Sequence, residues 1–159
     1  MEVRLCPTSV DTLVHETLAQ HEALVRDKPV QLVAELPASV AAFETDPDKL
    51  KQILINLIGN ALKFTERGTI TVRVLTDPAN QHPVRLEVSD TGIGIPQEKL
   101  GLIFDAFQQA EAGTSRKYGG TGLGLTISRA LCQLMGYRIE VSSEVGRGST
   151  FSIVLIIGS

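Results

Sequence analysis

The sequence predicts an α/β (α+β) two-layer sandwich, with a mixed sheet of about five strands and about three helices on one face. Residues 46–64 and 123–135 repeat apolar side chains at helical spacing over several turns. Short β-branched runs in alternation occur early, in the middle and at the end of the chain. Strands and helices do not alternate strictly, which argues against a purely parallel sheet. With 159 residues, 43% hydrophobic and 21% charged, residues 1–159 read as a single domain with a real core.

Val10, Leu13, Val14, Leu18 and Leu24 mark a first amphipathic helix over Val10–Val25, with Ser9 as its N-cap and Pro29 beyond its end. Val30–Glu35 alternates as a half-buried strand does, and Pro37–Glu44 holds a second, short one. Asp46-Pro47 is an N-cap followed by proline at the first helical position. Leu50, Ile53, Leu54, Leu57, Ile58, Ala61 and Leu62 then form the apolar face of a helix that ends before Gly68. Thr69–Leu75 and Val84–Ser89 read as an antiparallel pair, separated by the turn signals Asp77-Pro78 and His82-Pro83. Gln97–Leu102 and Phe104–Phe107 are short helical stretches, and Gln108–Tyr118 is a polar loop. Leu123–Met135 is a helix stopped by Gly136, and Tyr137–Ser143 and Ser149–Ile156 are strands around the Gly146-Arg-Gly148 turn.

A net charge of −3 and 4% aromatic residues argue against a nucleic-acid partner or an anionic membrane surface. The longest apolar run, Ile153 to Ile157, is far short of the about 20 residues of a membrane helix. Cys6 and Cys132 lie outside any metal-like spacing; Cys132 reads as helix core and Cys6 as incidental, so a reducing compartment is the default.

Three segments carry chemistry. Asn56, Asn60 and Lys63 share one stripe of the second helix, although asparagine is a mediocre helix former. They form either a solvated face or a set of amide oxygens and an ammonium for a hard cation and phosphate. Asp90-Thr-Gly-Ile-Gly-Ile-Pro96 leaves a predicted strand. Its carboxylate either caps a tight turn or accepts from an exocyclic amine such as that of adenine, with the glycines making room for a flat ring. Tyr118-Gly-Gly-Thr-Gly-Leu-Gly-Leu places four glycines within six residues at a helix start, where unpaired N–H groups and the helix dipole favour an anion.

Taken together, Asn56-Leu-Ile-Gly-Asn60-Ala-Leu-Lys63-Phe64, Asp90-Thr-Gly92-Ile-Gly94, Ile103-Phe104-Asp-Ala-Phe107 and Gly120-Thr-Gly122-Leu-Gly124-Leu closely resemble the N, G1, F and G2 boxes of sensor histidine kinases. These boxes belong to the catalytic, ATP-binding domain, a Bergerat-type fold within the wider superfamily of gyrase, heat-shock chaperones and MutL. The Lys63-Phe64-Thr65 ending and the Ser115-Arg-Lys-Tyr-Gly-Gly120 lead-in are most similar to kinases of the hybrid type. The resemblance runs from about Ser9 to the end of the chain.

The resemblance implies ATP and Mg²⁺ as cofactors. Asn56 would ligate the metal, and Asn60 would contact the metal–phosphate region. Lys63, Arg116 and Lys117 would meet phosphate, with Asn56 completing the catalytic set. Asp90 would bind the adenine amine in a pocket shaped by Phe64, Gly92, Gly94, Ile95 and Thr150. Phe104 and Phe107 would anchor a lid over Gln108–Thr121, and Gly120, Thr121, Gly122, Leu123, Gly124 and Leu125 would cradle the phosphates.

In the ATPase branch of this superfamily a glutamate activates water where this chain has Asn56, which cannot accept a proton at neutral pH. Transfer to another nucleophile is the expected reaction: the γ-phosphoryl group passes to a histidine in two-component signalling. A nucleotide-gated interaction module is the alternative, and a gyrase-like ATPase a more distant one. His15 and His21 lack the family's Arg-Thr-Pro context and are read as exposed helix residues; His82 lies in a loop. The acceptor histidine is therefore expected on a separate dimerisation domain absent from this chain, with a response regulator or receiver domain downstream. The expected location is the cytoplasm, including the cytoplasmic part of a membrane-bound receptor.

Overall fold

Buried Val10, Leu13, Val14, Thr17, Leu18, His21 and Val25 form the inward stripe of the first helix, α1 (Val10–Val25). The computed structural model describes residues 3–65, 67–92, 121–144 and 146–155; for Lys63, Phe64, residues 121–127 and Glu144 it gives the backbone alone. Before α1 lies β1 (Cys6–Thr8), and after it come β2 (Val30–Glu35), β3 (Phe43–Thr45), α2 (Pro47–Phe64), β4 (Gly68–Thr76) and β5 (Pro83–Asp90). Helix α3 (Thr121–Met135) leads into β6 (Arg138–Glu144) and β7 (Gly148–Val154).

Five strands form one mixed sheet in the order β2-β4-β5-β7-β6, parallel only between β2 and β4. α2 lies against α1, α3, β4 and β5, which closes a core of Leu50, Ile53, Leu54, Leu57 and Ile58 on Ile70, Val72, Leu86, Val88, Phe151 and Ile153. The other face of the sheet is polar. Glu35, Arg73, Glu87, Arg85, Glu140 and Arg138 form a chain of ion pairs across it. One apolar and one charged face give the two-layer sandwich expected from the alternation of β4 and β5.

Three expectations need correction. His21 is buried, not exposed: it falls on the inward stripe of α1, and its Nδ1 lies 2.8 Å from the Thr17 carbonyl. Leu24, placed in the apolar stripe, is 61% exposed, and Val25 takes the inward position in the last turn. Ser9 sits at the N-cap but makes no side-chain cap bond; its hydroxyl pairs with Asp11, whose carboxylate accepts from Thr12 N–H. One element was not anticipated. β1 pairs antiparallel with β3, Cys6 opposite Thr45, as a separate two-stranded ribbon.

That ribbon delivers Asp46 to the head of α2. Its carboxylate accepts from Arg4 N–H at 2.9 Å, Lys49 N–H at 3.1 Å and Lys49 Nζ at 3.1 Å, and its own exposure is 3%. Burial pushes its pKa up, but these donors outweigh burial and hold it below the ordinary 3.8. The carboxylate therefore contributes stability that is present above pH 3.8 and lost as pH falls through its depressed native value. Asp46→Ala is expected to cost about 1–2 kcal/mol in urea unfolding at pH 7, with the difference from wild type shrinking in acid.

Candidate functional site

Four buried side-chain polar atoms lack a hydrogen-bond partner among the described residues: Asn56 Nδ2, Asn60 Nδ2, Thr65 Oγ1 and Asp90 Oδ2. Buried polar groups are nearly always paired, so such a set marks a place where something else binds. Three of the four belong to residues that the sequence singled out, and the fourth follows α2 directly.

Asp90 is the last residue of β5 and shares the helix-facing side with Leu86 and Val88. Its Oδ1 accepts from Gly92 N–H at 2.9 Å, which folds the chain sharply after the strand. Burial raises the carboxyl pKa; Gly92 N–H, Ser149 N–H and the nearby Thr65 hydroxyl favour the charged form without cancelling that effect. The Thr65 hydroxyl faces the carboxylate but stands outside hydrogen-bond geometry. Asp90 thus holds one oxygen satisfied and presents the other as an unfilled acceptor, the chemistry that recognises an exocyclic amine.

Asn56 and Asn60 lie one turn apart on α2, which packs on β5. Asn60 is 4% exposed. Asn56 Oδ1 accepts from Gln52 Nε2 at 3.1 Å, leaving its Nδ2 inward. A half-turn of the Asn56 amide, matched by Gln52, presents an oxygen in place of that nitrogen, so the donor set fits a hard cation that takes one amide oxygen and completes its shell with phosphate and water. Among the described residues no cluster of three His, Cys, Asp or Glu could hold a metal.

At the ends of β5, β6 and β7 a polar cavity of about 470 Å³ is lined by Asp90, Ser143, Arg147, Ser149 and their neighbours. Gly148 has φ +108° and lies against the Asp90 backbone: an ideal Cβ there would stand 1.9 Å from the Asp90 carbonyl oxygen. This glycine is more than a hairpin residue, since it lets β7 start in contact with the strand end that carries the carboxylate.

Thr150 also lines this cavity, but its side chain stands on the other side of the sheet from the Asp90 carboxylate. Asp90 is paired with Ser149 across the β5–β7 ladder, and Thr150 with Ser89. Successive strand residues face opposite sides, so Ser149 shares the side of Asp90, while Thr150 Oγ1 lies 2.9 Å from Ser89 Oγ on the other. Ser149, Ser143 and Thr65 are the residues that sequence reasoning missed. Thr65 ends the first motif, the one on α2, and was within reach. Ser149 required the register, which only the fold supplies.

The backbone of Lys63 and Phe64 forms the last turn of α2, and Thr121, Gly122, Leu123, Gly124 and Leu125 form the first turns of α3. Gly94, Ile95, Phe104, Phe107, Arg116, Lys117 and Gly120 lie outside the described residues, as do the expected helices Gln97–Leu102 and Phe104–Phe107 and the Gln108–Tyr118 loop. Cys132 is buried in α3 and its thiol is pushed up to about 12 by burial, consistent with a core role.

Residues 45–158 match the family model described as histidine kinase-, DNA gyrase B-, and HSP90-like ATPase. The chain is 42% identical over 150 residues to the circadian input-output histidine kinase CikA of Synechococcus elongatus, covering 92% of this chain and 20% of that protein. It is 43% identical over 146 residues to the sensor histidine kinase AruS of Pseudomonas aeruginosa, covering 90% of this chain and 15% of that protein. The chain thus spans a fifth or less of these relatives. Among solved structures it is similar to ShkA in complex with AMPPNP, with TM-score 0.82, 29% identity, and coverage of 98% of this chain and 32% of that one. It also matches the nucleotide-free catalytic domain of histidine kinase ThkA, with TM-score 0.72, 26% identity, and coverage of 96% and 94%. The sheet order, the motifs on α2 and β5 and a family match across most of the chain agree, and the protein belongs to the histidine kinase-, DNA gyrase B- and HSP90-like ATPases.

Proposed function

We propose that this chain is the catalytic, ATP-binding domain of a sensor histidine kinase of the hybrid type. It binds Mg-ATP and hands the γ-phosphoryl group to a histidine on a separate dimerisation domain. The observation that carries the reading is the set of orphaned polar atoms on Asn56, Asn60, Thr65 and Asp90. Asp90 takes the adenine amine in a pocket completed by Phe64, Gly92, Gly94, Ile95 and Phe107. Lys63, Arg116, Lys117 and the N-terminus of α3, from Gly120 through Leu125, hold the phosphates. Asn56 holds Mg²⁺, with Asn60 beside it; the ion, when bound, neutralises charge on the phosphate oxygens.

The chain positions rather than hydrolyses. Asn56 has no basic site to take a proton from water, so the incoming nucleophile is a histidine ring nitrogen that brings its own lone pair. The N–P bond forms as the P–O bond to ADP breaks, and ADP leaves with both shared electrons. Neither His15 nor His21 fills that role: His15 is exposed on α1 away from the motif context, and His21 is buried with Nδ1 on the Thr17 carbonyl. The domain is read as residues 1–159 and acts on an acceptor domain of its own or a partner kinase, with a receiver domain downstream. Among the described residues no helix is long and apolar enough to cross a membrane; the place on the cytoplasmic side follows from the reading as a sensor-kinase domain.

The test mixes the chain with a histidine-bearing dimerisation domain taken from one of the similar kinases and γ-labelled ATP. Acid-labile label on the acceptor is expected. Asn56→Ala is expected to lower Mg-dependent transfer at least about tenfold while weakening ATP binding less. No label at saturating ATP, or equal loss of transfer and affinity, would count against the assignment.

A further inference from the structure

The antiparallel ladder between β4 and β5 stops at the site by a side-chain substitution. Ile70 faces Asp90 as the last registered pair, and Thr91 N–H donates to the Thr69 carbonyl at 3.2 Å, as that pair requires. In a continuing ladder Thr69 N–H would return the bond to the Thr91 carbonyl. It donates instead to the Thr91 side chain, to Oγ1, at 3.0 Å. The hydroxyl oxygen thus takes the rung that belongs to the backbone. Gly68 leaves the room for it, since a Cβ there would collide with Thr91 Oγ1. With its carbonyl released from β4, the chain leaves the sheet at Thr91. The next amide, Gly92 N–H, then folds back onto Asp90 Oδ1 at 2.9 Å.

We infer that Thr91 is a positioning residue for adenine recognition: by taking the last rung of the β4–β5 ladder, its hydroxyl frees the backbone to turn and so aims the Asp90 carboxylate. The inference rests on the base-pocket reading of Asp90. Gly92 N–H holds one carboxylate oxygen, and Oδ2 is left as the acceptor for the amine. A side chain without the hydroxyl leaves Thr69 N–H to the carbonyl of residue 91. Closing that bond draws residues 91 and 92 back alongside β4 and takes Gly92 N–H off the carboxylate. Asp90 then loses a donor that fixes its plane, and hydrogen bonds weaken steeply when their angle is lost.

The experiment measures Kd for ATP by calorimetry on the full chain as wild type, Thr91→Val, Thr91→Ser, Asp90→Ala and the Asp90→Ala/Thr91→Val double variant, with a thermal melt of each. Valine keeps the shape of threonine and removes the hydroxyl. Thr91→Val is expected to raise Kd about fivefold or more, the worth of one net hydrogen bond, and Thr91→Ser to restore it. The effect is expected to vanish in the Asp90→Ala background, because a residue that acts through the carboxylate has nothing left to aim there. Should Thr91→Val melt too low to titrate, Thr91→Ala takes its place in the same cycle. Equal loss in both backgrounds overturns the inference and assigns Thr91 a purely structural role. An unchanged Kd in Thr91→Val while Asp90→Ala weakens binding overturns it too. A nucleotide-free readout is the Gly92 amide chemical shift, expected to follow ionisation of the carboxylate in wild type and Thr91→Ser but not in Thr91→Val. The same pH response in all three would count against the inference. An Asp90→Ala variant that keeps full ATP affinity overturns the base-pocket reading itself, and the inference with it.

Discussion

Asp90→Ala is expected to weaken ATP binding by about 10- to 100-fold, the range for losing a hydrogen bond to a charged acceptor. The carboxylate is 3% exposed, one oxygen is spent on Gly92 N–H, and the other waits unpartnered. That arrangement is costly in the empty protein. Burial raises the native pKa above 3.8, so between that value and the raised one the native state binds more protons than the unfolded chain. The stability contribution is fully present below pH 3.8 and is lost as pH rises through the raised native pKa. Asp90→Asn keeps the shape and an acceptor for Gly92 N–H but cannot ionise. The nucleotide-free variant should therefore melt higher than wild type at pH 7, with the gap closing toward pH 4, while calorimetry records its loss of ATP affinity. Equal melting curves at both pH values would contradict this account of the carboxylate.

Gly148→Ala is expected to destabilise the domain by about 3 kcal/mol or more, because a left-handed non-glycine residue costs about 1–2 kcal/mol before any clash. Here the clash is severe: the added Cβ would stand 1.9 Å from the Asp90 carbonyl oxygen and 2.8 Å from its carbon. Those atoms are backbone at the end of the β5–β7 ladder and have no rotamer to escape into. The neighbouring turn glycine is the control. Gly146 has φ +85° with nothing among the described residues within 4 Å of an added Cβ, so Gly146→Ala should cost only about 1–2 kcal/mol. Urea unfolding of the two variants separates strain from collision, and equal losses would remove the case for a tight β5–β7 approach. Because the collision is with Asp90 itself, Gly148→Ala should also weaken ATP binding in whatever fraction still folds.

Elements specified by local chemistry were legible in the sequence. α2 is the clearest: Asp46-Pro47 starts it, Leu50 to Ala61 give it one apolar face, and its observed span of Pro47–Phe64 follows. β4 and β5 were legible by alternation, within a residue or so at each end. Elements specified by distant partners were not. β1 is three residues long and exists because Cys6 meets Thr45, far along the chain. The parallel pairing of β2 with β4 depends on α2 as a crossover, which no local pattern announces. The site shows the same division. Asn56, Asn60 and Asp90 stand out by residue type and spacing, but choosing Ser149 over Thr150 needs the register, and a slip of one residue turns the side chain to the other face. The inward His21 and outward Leu24 reflect how α1 meets the sheet in its last turns rather than hydropathy.

The central claim is that nucleotide binds at the Asp90 end of the sheet, and amide chemical-shift mapping of the wild-type chain during Mg-ATP titration tests it most directly. The largest saturable shifts are predicted at Asn60, Asp90, Gly92 and Ser149, together with the first turns of α3. The described residues form another cavity, between the end of α1 and β2, lined by Glu22, Arg26, Lys28 and Gln31 among others. Saturable shifts confined to that groove, with Asp90, Gly92 and Ser149 unmoved, would contradict the account.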